Sequence, residues 1–497
     1  MASLLNHQSL PDLDGRSFDV AVIGGGINGT STARTLASAG YRVLLVERND
    51  FGSGSSSRSS RLLHCGLNYL AMANDAKSLR AKLKYVTLAK NMMGERARMY
   101  RALPGRMTPK TLHIPLRKND AVKPWQFDLA FATLKCLGGH SVPLNYRRTT
   151  ERQLPSHPLA PYLGDDLVGI VSYSELAFDW PERVCVDYAL TAAGHGATVL
   201  NYVTLTGVEK SDGGWRLTLE DSLKGAHRTN VFSRAVINMT GAWSDNINKL
   251  ADAEAHPTVT PNKGCHFAVR LSPAFKGIGI VNRNALGHMF ICLPWNDFHI
   301  IGPSESKLNG PSDGLQAWDE DIDCLLRQAR SEIPGTNITR GDVLFRWAGM
   351  RPATFEYDNP LGGWDRRLHV TSNSDKSLWI SMSWGRLADH LITSREILDH
   401  VSSQLGRNAP VAPVGALIPR SNELGQIVRD EGPTSVADVM FGRTGWGWSA
   451  DLGRSRVPDI AAALAAASRD RTADDFAAEY LSYIEQAFGA RATEVAL

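Results

Sequence analysis

The chain's clearest pattern lies near its start. An apolar run, Val20 to Ile23, meets Gly24, Gly26 and Gly29 in G-x-G-x-x-G spacing. Thr30 to Ala39 then carries small residues up to Gly40, and a second apolar run, Arg42 to Val46, ends on Glu47. Unbroken apolar runs of this length predict strands buried on both faces, and the stretch between them predicts a helix. The spacing therefore predicts a β-α-β unit built around a glycine loop. In such a unit Gly24 makes the tight turn, Gly26 lets a pyrophosphate approach the backbone, and Gly29 lets helix close on strand. The helix N-terminus offers N–H groups and a positive dipole end to an anion. Glu47 is placed to accept from a ribose hydroxyl. The unit predicts a dinucleotide site.

Further along, the serine-rich stretch GSGSSSRSSRLLHCGLNYL starts at Gly52 and runs directly into Leu62, Leu63, Leu67 and Leu70. That continuity argues against a flexible linker. Small hydroxyl side chains beside the glycine loop suit backbone contact with a phosphate-bearing ligand. Residues 77–110 predict a helix in their first part, with Leu79, Leu83, Val86, Met93, Ala97 and Tyr100 roughly on one face and Lys90 interrupting it. Residues 198–220 read as strand, turn at Gly213-Gly214, and strand. RAVINMTGAWSD, from Arg234, reads as a buried strand entering a turn at Thr240-Gly241. HFAVRL, HMFICLPW and FHIIGPS, within 266–302, predict a second sheet on the substrate side. Past about residue 400 the pattern turns helical, and Thr472 with Asp475 predicts a helix cap. No internal repeat is present.

Composition narrows the class. The 497 residues are 43% hydrophobic and 21% charged, which fits a globular chain of two or three domains. A net charge of +3 gives no global case for nucleic-acid binding. No apolar run reaches membrane-spanning length, and the first residues lack the pattern of a signal peptide. Six scattered cysteines, none in C-x-x-C spacing, predict a reduced, cytoplasmic setting. Charge is uneven locally: residues 77–110 hold ten Lys/Arg against one acid, Glu95. A basic amphipathic surface of this kind suits peripheral contact with the inner face of a membrane.

Six segments in order resemble the FAD-dependent glycerol-3-phosphate dehydrogenase/oxidase family, within the D-amino-acid-oxidase-like flavoproteins. They are VIGGGINGT, SSRLLHCGLNYL, AVINMTGAWSD, NKGCHFAV, WAGMRPA and WGRLADH; the tail IVRDEGPTSVADVMFGRTG agrees too. The resemblance covers nearly the whole chain. It implies a mixed α/β and α+β fold: a Rossmann-type FAD-binding domain, an antiparallel-sheet substrate domain and a C-terminal helical domain. The expected limits are 1–105, 170–265 and 345–400 for the first, 106–169 and 266–344 for the second, and 401–497 for the third. FAD, held without a covalent bond, is the implied cofactor, and quinone or oxygen the implied electron acceptor. Beyond Gly24, Gly26, Gly29 and Glu47, the resemblance assigns Asn28, Arg48, Ser55, Ser56, Ser59, Ser60 and Leu63 to the cofactor. It also places Leu205 near the adenine, Gly241 near the phosphates, and Gly385, Arg386 and Leu387 on the pyrimidine side of the flavin.

Oxidising a secondary alcohol on a flavin needs an aimed C–H, a base and donors that fix the substrate. His266, in KGCH where the family reads K-G-S-H, is the first candidate base. His64, in LLHCG, is the second. Arg351, in GMRPA, matches an active-site arginine whose planar fork suits an oxyanion or phosphate. Tyr69 matches a substrate-pocket tyrosine. The two Cys-His dipeptides lack metal-ligand spacing, so no metal is expected. Three departures fall at pocket positions. Cys65-Gly66-Leu67-Asn68-Tyr69 stands where the family reads G-G-L-R-Y, so Asn68 replaces a cation. Gly302-Pro303-Ser304-Glu305 stands for G-T-T-D, and Trp384-Gly385-Arg386 for G-G-K. With Arg351 and Arg386 as two cations, these departures predict a phosphorylated polyol other than plain glycerol-3-phosphate, such as a tetritol phosphate, contacted by Asn68, Tyr69, Ser304 and Glu305. An amine or amino-acid oxidase of the same class is the alternative, with Arg351 clamping a carboxylate. Oligomeric state is not legible.

Overall fold

The computed structural model describes residues 10–139, 142–223, 227–283, 289–308, 315–406 and 423–489. Residues 1–9, the start of the N-terminal stretch without a signal-peptide pattern, lie outside them.

Two sheets organise the chain. In the first, the strands Leu378–Ser383, Arg228–Asn238, Ser17–Ile23, Val43–Val46 and Thr198–Leu200 run parallel in that order. Arg367–Ser372 closes one edge antiparallel, and the hairpin Val203–Ser211 with Gly214–Asp221 branches from Arg228–Asn238. Alternate residues of the central strands enter two different cores. Val20, Val22, Val43 and Leu45 face the helices, whereas Ala21, Ile23, Leu44 and Val46 face the hairpin. This explains the unbroken apolar runs: both faces are covered.

The helix Ile27–Ser38 is buried along its whole length. Its small residues let the helices Pro181–Gly194 and His390–Leu405 approach it closely. At Gly29 a Cβ would lie 1.8 Å from the Gly24 carbonyl oxygen, so only glycine permits this contact of helix on loop.

Among the described residues the second sheet has ten strands. Val259–Val269 pairs with Val343–Thr354 and Phe298–Gly302, and the order continues through Met289–Trp295, Ile278–Arg283, Met107–Arg117 and Leu167–Phe178. It is antiparallel except where Ile278–Arg283 runs parallel to Met107–Arg117. The limits at 170, 266 and 345 fall inside three of these strands, and that at 400 inside the helix His390–Leu405.

The C-terminal helices Val457–Ala467 and Ala473–Phe488 cover the second sheet: Ile460, Leu464, Tyr480 and Phe488 pack on Phe345 and Trp347. Thr472 caps the last helix. Its hydroxyl accepts the Asp475 N–H (3.2 Å), and the Asp475 carboxylate accepts the Thr472 N–H (2.8 Å).

The helix Leu79–Ala102 forms as expected, but its packing differs from the pattern. Ala89, Met92, Met93, Ala97 and Met99 are buried, while Leu79, Leu83 and Tyr100 are exposed. The helix docks only along its C-terminal half. No helix among the described residues is long and apolar enough to cross a membrane.

Candidate active site

A continuous cavity of about 2200 Å³ runs along the C-terminal edge of the first sheet and under the second. One end is lined by Glu47, Arg48, Leu205, Gly241 and Trp243, the middle by Gly24, Gly26, Asn28 and the serine segment, and the other end by His64, His266, Arg351 and Gly385 to Leu387.

Glu47 ends the strand Val43–Val46. Its carboxylate accepts the Gly25 N–H (2.6 Å) and the Asn49 N–H (2.9 Å). Burial pushes its pKa up, against the pull of those two N–H groups. Arg48 lies 4.4 Å over the Trp243 ring. Gly26 caps the helix Ile27–Ser38 with φ −70°, a conformation open to any residue. A Cβ there would have only Ser56 Oγ, at 3.2 Å, within 4 Å. Asn28 Oδ1 is buried without a hydrogen-bond partner among the described residues. An open path over the glycine loop to the helix start, which a Cβ at Gly26 would enter, and a carboxylate at the strand end together fit an elongated dinucleotide such as FAD.

The serines do structural work inside this cradle. Ser56 Oγ accepts the Ile27 N–H (3.0 Å), so it serves the helix start. Ser55 donates to the Met350 carbonyl. Ser59 Oγ accepts the Arg61 N–H (3.1 Å), and Ser60 Oγ sits 3.0 Å from His266 Nε2. All four line the cavity. Three assigned residues do not: Gly29, Leu63 and Ser304. Gly29 is closed off against the Gly24 carbonyl. Leu63 packs into the core beneath the helices. Ser304 is buried in a reciprocal pair with Cys265, its Oγ accepting the Cys265 N–H at 3.0 Å. Ser304 is thus a strand anchor rather than a substrate contact.

The strands Val259–Val269 and Val343–Thr354 bring the chemistry together. Their register sets His266 opposite Trp347 and Asn262 opposite Arg351. The His266 ring stacks on Trp347, 5.3 Å between centroids and 9° between planes. Burial, then Arg351 and Arg61, lower its pKa to about 3. Burial and Arg386 lower that of His64 to about 4. Both imidazoles are neutral at pH 7.

The two candidate cations, Arg351 and Arg386, are each paired with a carboxylate. Arg351 donates to Glu305 (3.0 Å), with Asn262 at 3.4 Å. Arg386 forms a fork with Asp389 through Nε and Nη2, both at 3.0 Å, and donates to the Tyr69 hydroxyl (3.1 Å). Burial alone would lower the Arg386 pKa, but Asp389 and Tyr69 hold it above its ordinary value. Asn68 is exposed at the start of the helix Leu67–Asp75. Among the described residues there is no cluster able to hold a metal ion.

Sequence reading passed over Arg61, Trp347, Asn262 and Asp389. Arg61 lies within the serine stretch, yet nothing in its neighbours signals that it is buried. Asp389 had one available signal: it stands three residues after Arg386, in N-cap-to-N3 spacing.

The family described as FAD dependent oxidoreductase matches residues 19–392. A glycerol-3-phosphate dehydrogenase of Synechocystis is 28% identical over 420 residues, covering 82% of this chain and 74% of that one. A mitochondrial glycerol-3-phosphate dehydrogenase of Rattus norvegicus is 30% identical over 385 residues, covering 74% of this chain and 50% of that one. The chain thus spans about half the length of that relative. The solved structure of a glycerol-3-phosphate dehydrogenase from Bacillus halodurans, complexed with FAD, superposes with a TM-score of 0.74 at 20% identity, covering all of both chains; this shows the shared fold.

Proposed function

We propose, because the chain belongs to the FAD dependent oxidoreductase family, that it oxidises a secondary alcohol of a phosphorylated polyol. The observation that carries this reading is the continuous cavity that joins a dinucleotide cradle to two neutral histidines and two arginines. Bound FAD supplies the hydride acceptor. His266 takes the hydroxyl proton at Nε2, directly or through the Ser60 hydroxyl 3.0 Å away. Trp347 fixes the plane of the ring. Arg351 and Arg386 bind the anionic end, where the substrate phosphate competes with Glu305 and Asp389 for their forks. Tyr69, already bonded to Arg386, positions that fork.

The same geometry supports a polyol longer than glycerol. Glu305 reaches Arg351 at 3.0 Å and so takes up part of its charge. Asn68 adds no cation, and both side chains offer acceptors to an additional hydroxyl. Loss of one charge-assisted contact would weaken glycerol-3-phosphate by about 1.5–3 kcal/mol, or about 10- to 150-fold. Steady-state kinetics on glycerol-3-phosphate and on tetritol phosphates test this. The tetritol phosphates are expected to be preferred; kcat/KM of about 10⁵ M⁻¹s⁻¹ or more on glycerol-3-phosphate would restore the shorter substrate.

Electrons leave to quinone or oxygen. Leu79 and Leu83, exposed beside Arg80, Lys82 and Lys84, support docking on an anionic membrane surface. Flotation with anionic vesicles is expected to carry the protein at low salt and release it at high salt. Absence of salt-sensitive binding, with rapid peroxide formation in air, would point to oxygen instead.

A further inference from the structure

The C-terminal region sends buried side chains to both loops that form the cofactor cradle. Arg443, 1% exposed, makes a fork on Asp50 at 2.5 and 2.9 Å. It also donates to the Glu431 carbonyl at 3.1 and 3.3 Å. The Glu431 carboxylate takes a second fork from Arg183 (2.5 and 3.0 Å), and Arg183 bonds Asp187 (2.7 Å), which also accepts from Arg106 (2.7 Å). These three arginines and three carboxylates form a buried chain, and the buried Asp438 adds a further carboxylate beside Asp50 and Arg443. Asp50 follows Glu47 by three residues. Between them, Asn49 donates to the Glu47 carboxylate, and beyond them the Gly52 N–H donates to the Gly25 carbonyl (3.0 Å). Moving Asp50 therefore moves the Glu47 end of the cradle.

The second line reaches the reacting end. Arg61, with φ +62°, lies between the rings of Trp295 (4.0 Å) and Trp448 (4.3 Å). Its guanidinium pairs with Glu182 (3.0 Å), and the same carboxylate oxygen accepts the Trp448 indole N–H (3.0 Å). Arg61 directly follows Ser60, whose hydroxyl meets His266. Arg61 is also one of the charges that lower the His266 pKa.

We infer that the C-terminal helical region is a working part of the cofactor site, with Arg443 a positioning residue for the Glu47 loop and Trp448 a positioning residue for the Ser60–His266 contact. The inference rests on FAD occupying the cradle. The two lines act on different quantities because they end at different ends of the cavity. Arg443 governs how tightly the dinucleotide is held, and Trp448 governs how fast the flavin is reduced.

The test uses purified holoenzyme and three variants. Arg443→Lys keeps the charge and removes the fork. Trp448→Phe keeps a ring on Arg61 and removes the N–H to Glu182. The double variant Asp50→Asn with Arg443→Gln replaces the buried pair by a neutral one, in case the single change fails to fold. FAD dissociation is read by flavin fluorescence on dilution, flavin reduction by anaerobic stopped flow, and folding by Tm. Arg443→Lys, or the double variant, is expected to raise the FAD Kd about tenfold, equivalent to ~1.4 kcal/mol. That rise should exceed any fall in reduction rate. Trp448→Phe is expected to show the reverse split, with reduction slowed about tenfold. Changes in both quantities that simply track the loss of Tm, or no change in either, would overturn the inference. Wild-type protein that carries no FAD would instead overturn the cofactor reading beneath it.

Discussion

Replacing Gly26 with leucine is expected to give a folded protein that purifies without yellow cofactor. The backbone at Gly26 has φ −70°, so a side chain there meets no backbone strain. Its Cβ would touch only Ser56 Oγ, at 3.2 Å, and the remaining atoms would extend into the cavity. They would fill the space over the helix N-terminus where the pyrophosphate of FAD is expected to lie. Loss of two charge-assisted contacts of about 1.5–3 kcal/mol each corresponds to about 10²- to 10⁴-fold weaker FAD binding. Gly29 supplies the control. A Cβ there would collide with the Gly24 carbonyl oxygen at 1.8 Å, so Gly29→Ala is expected to lower Tm as well as flavin content. The absorbance ratio at 450 and 280 nm, with Tm, separates the two. Stoichiometric FAD in the Gly26→Leu protein would remove the glycine loop from the cofactor site.

The second large effect belongs to His266. His266→Asn is expected to lower kcat by about 10²- to 10⁴-fold, the usual contribution of a positioned acid or base, while FAD content is retained. His64→Asn, altering a residue outside the Ser60–Trp347 contact, is expected to cost less. A pH profile adds a sign. The pKa of His266 is lowered to about 3 by burial and by the two arginines, so the base is already neutral across the working range. With the substrate's own phosphate ionisation near about pH 6 divided out, kcat/KM should show no acidic limb at pH 6–7 from this residue. A dianionic phosphate beside Arg351 would offset part of the positive field and raise the proton affinity of the ring when substrate is bound. The same lowered pKa bears on folding. The neutral imidazole's contribution to stability is complete above the unfolded value of about 6.5 and is lost as pH falls below it, by about 2 kcal/mol at pH 5 for one such group. Retention of kcat within tenfold in His266→Asn would move the base to His64.

What the sequence discloses follows from where its information is local. The glycine loop, the strand before it and Glu47 are legible because a β-α-β unit is written in consecutive residues, and the Thr472 cap for the same reason. The helix Leu79–Ala102 is legible as a helix but not in its packing. Its apolar stripe suggests one buried face, whereas docking on the sheets covers only the half from Ala89 onward. Arg351 and Arg386 are legible as candidate site residues, yet their pairing with Glu305 and Asp389 is not, because only the fold sets those distances. Ser304 misleads because its position in a pocket motif says nothing of which way its hydroxyl turns; it turns to Cys265. Arg61 and Trp448 are 387 residues apart and meet only through the tertiary fold.

Flavin in this cavity is proposed to oxidise a phosphorylated polyol. Anaerobic mixing of the holoenzyme with polyol phosphates, and separately with amino acids and amines, tests it directly. Bleaching of the flavin absorbance by a polyol phosphate and not by the amino compounds is the result this account predicts. Bleaching by an amino acid or amine alone, or by none of the panel, would contradict it.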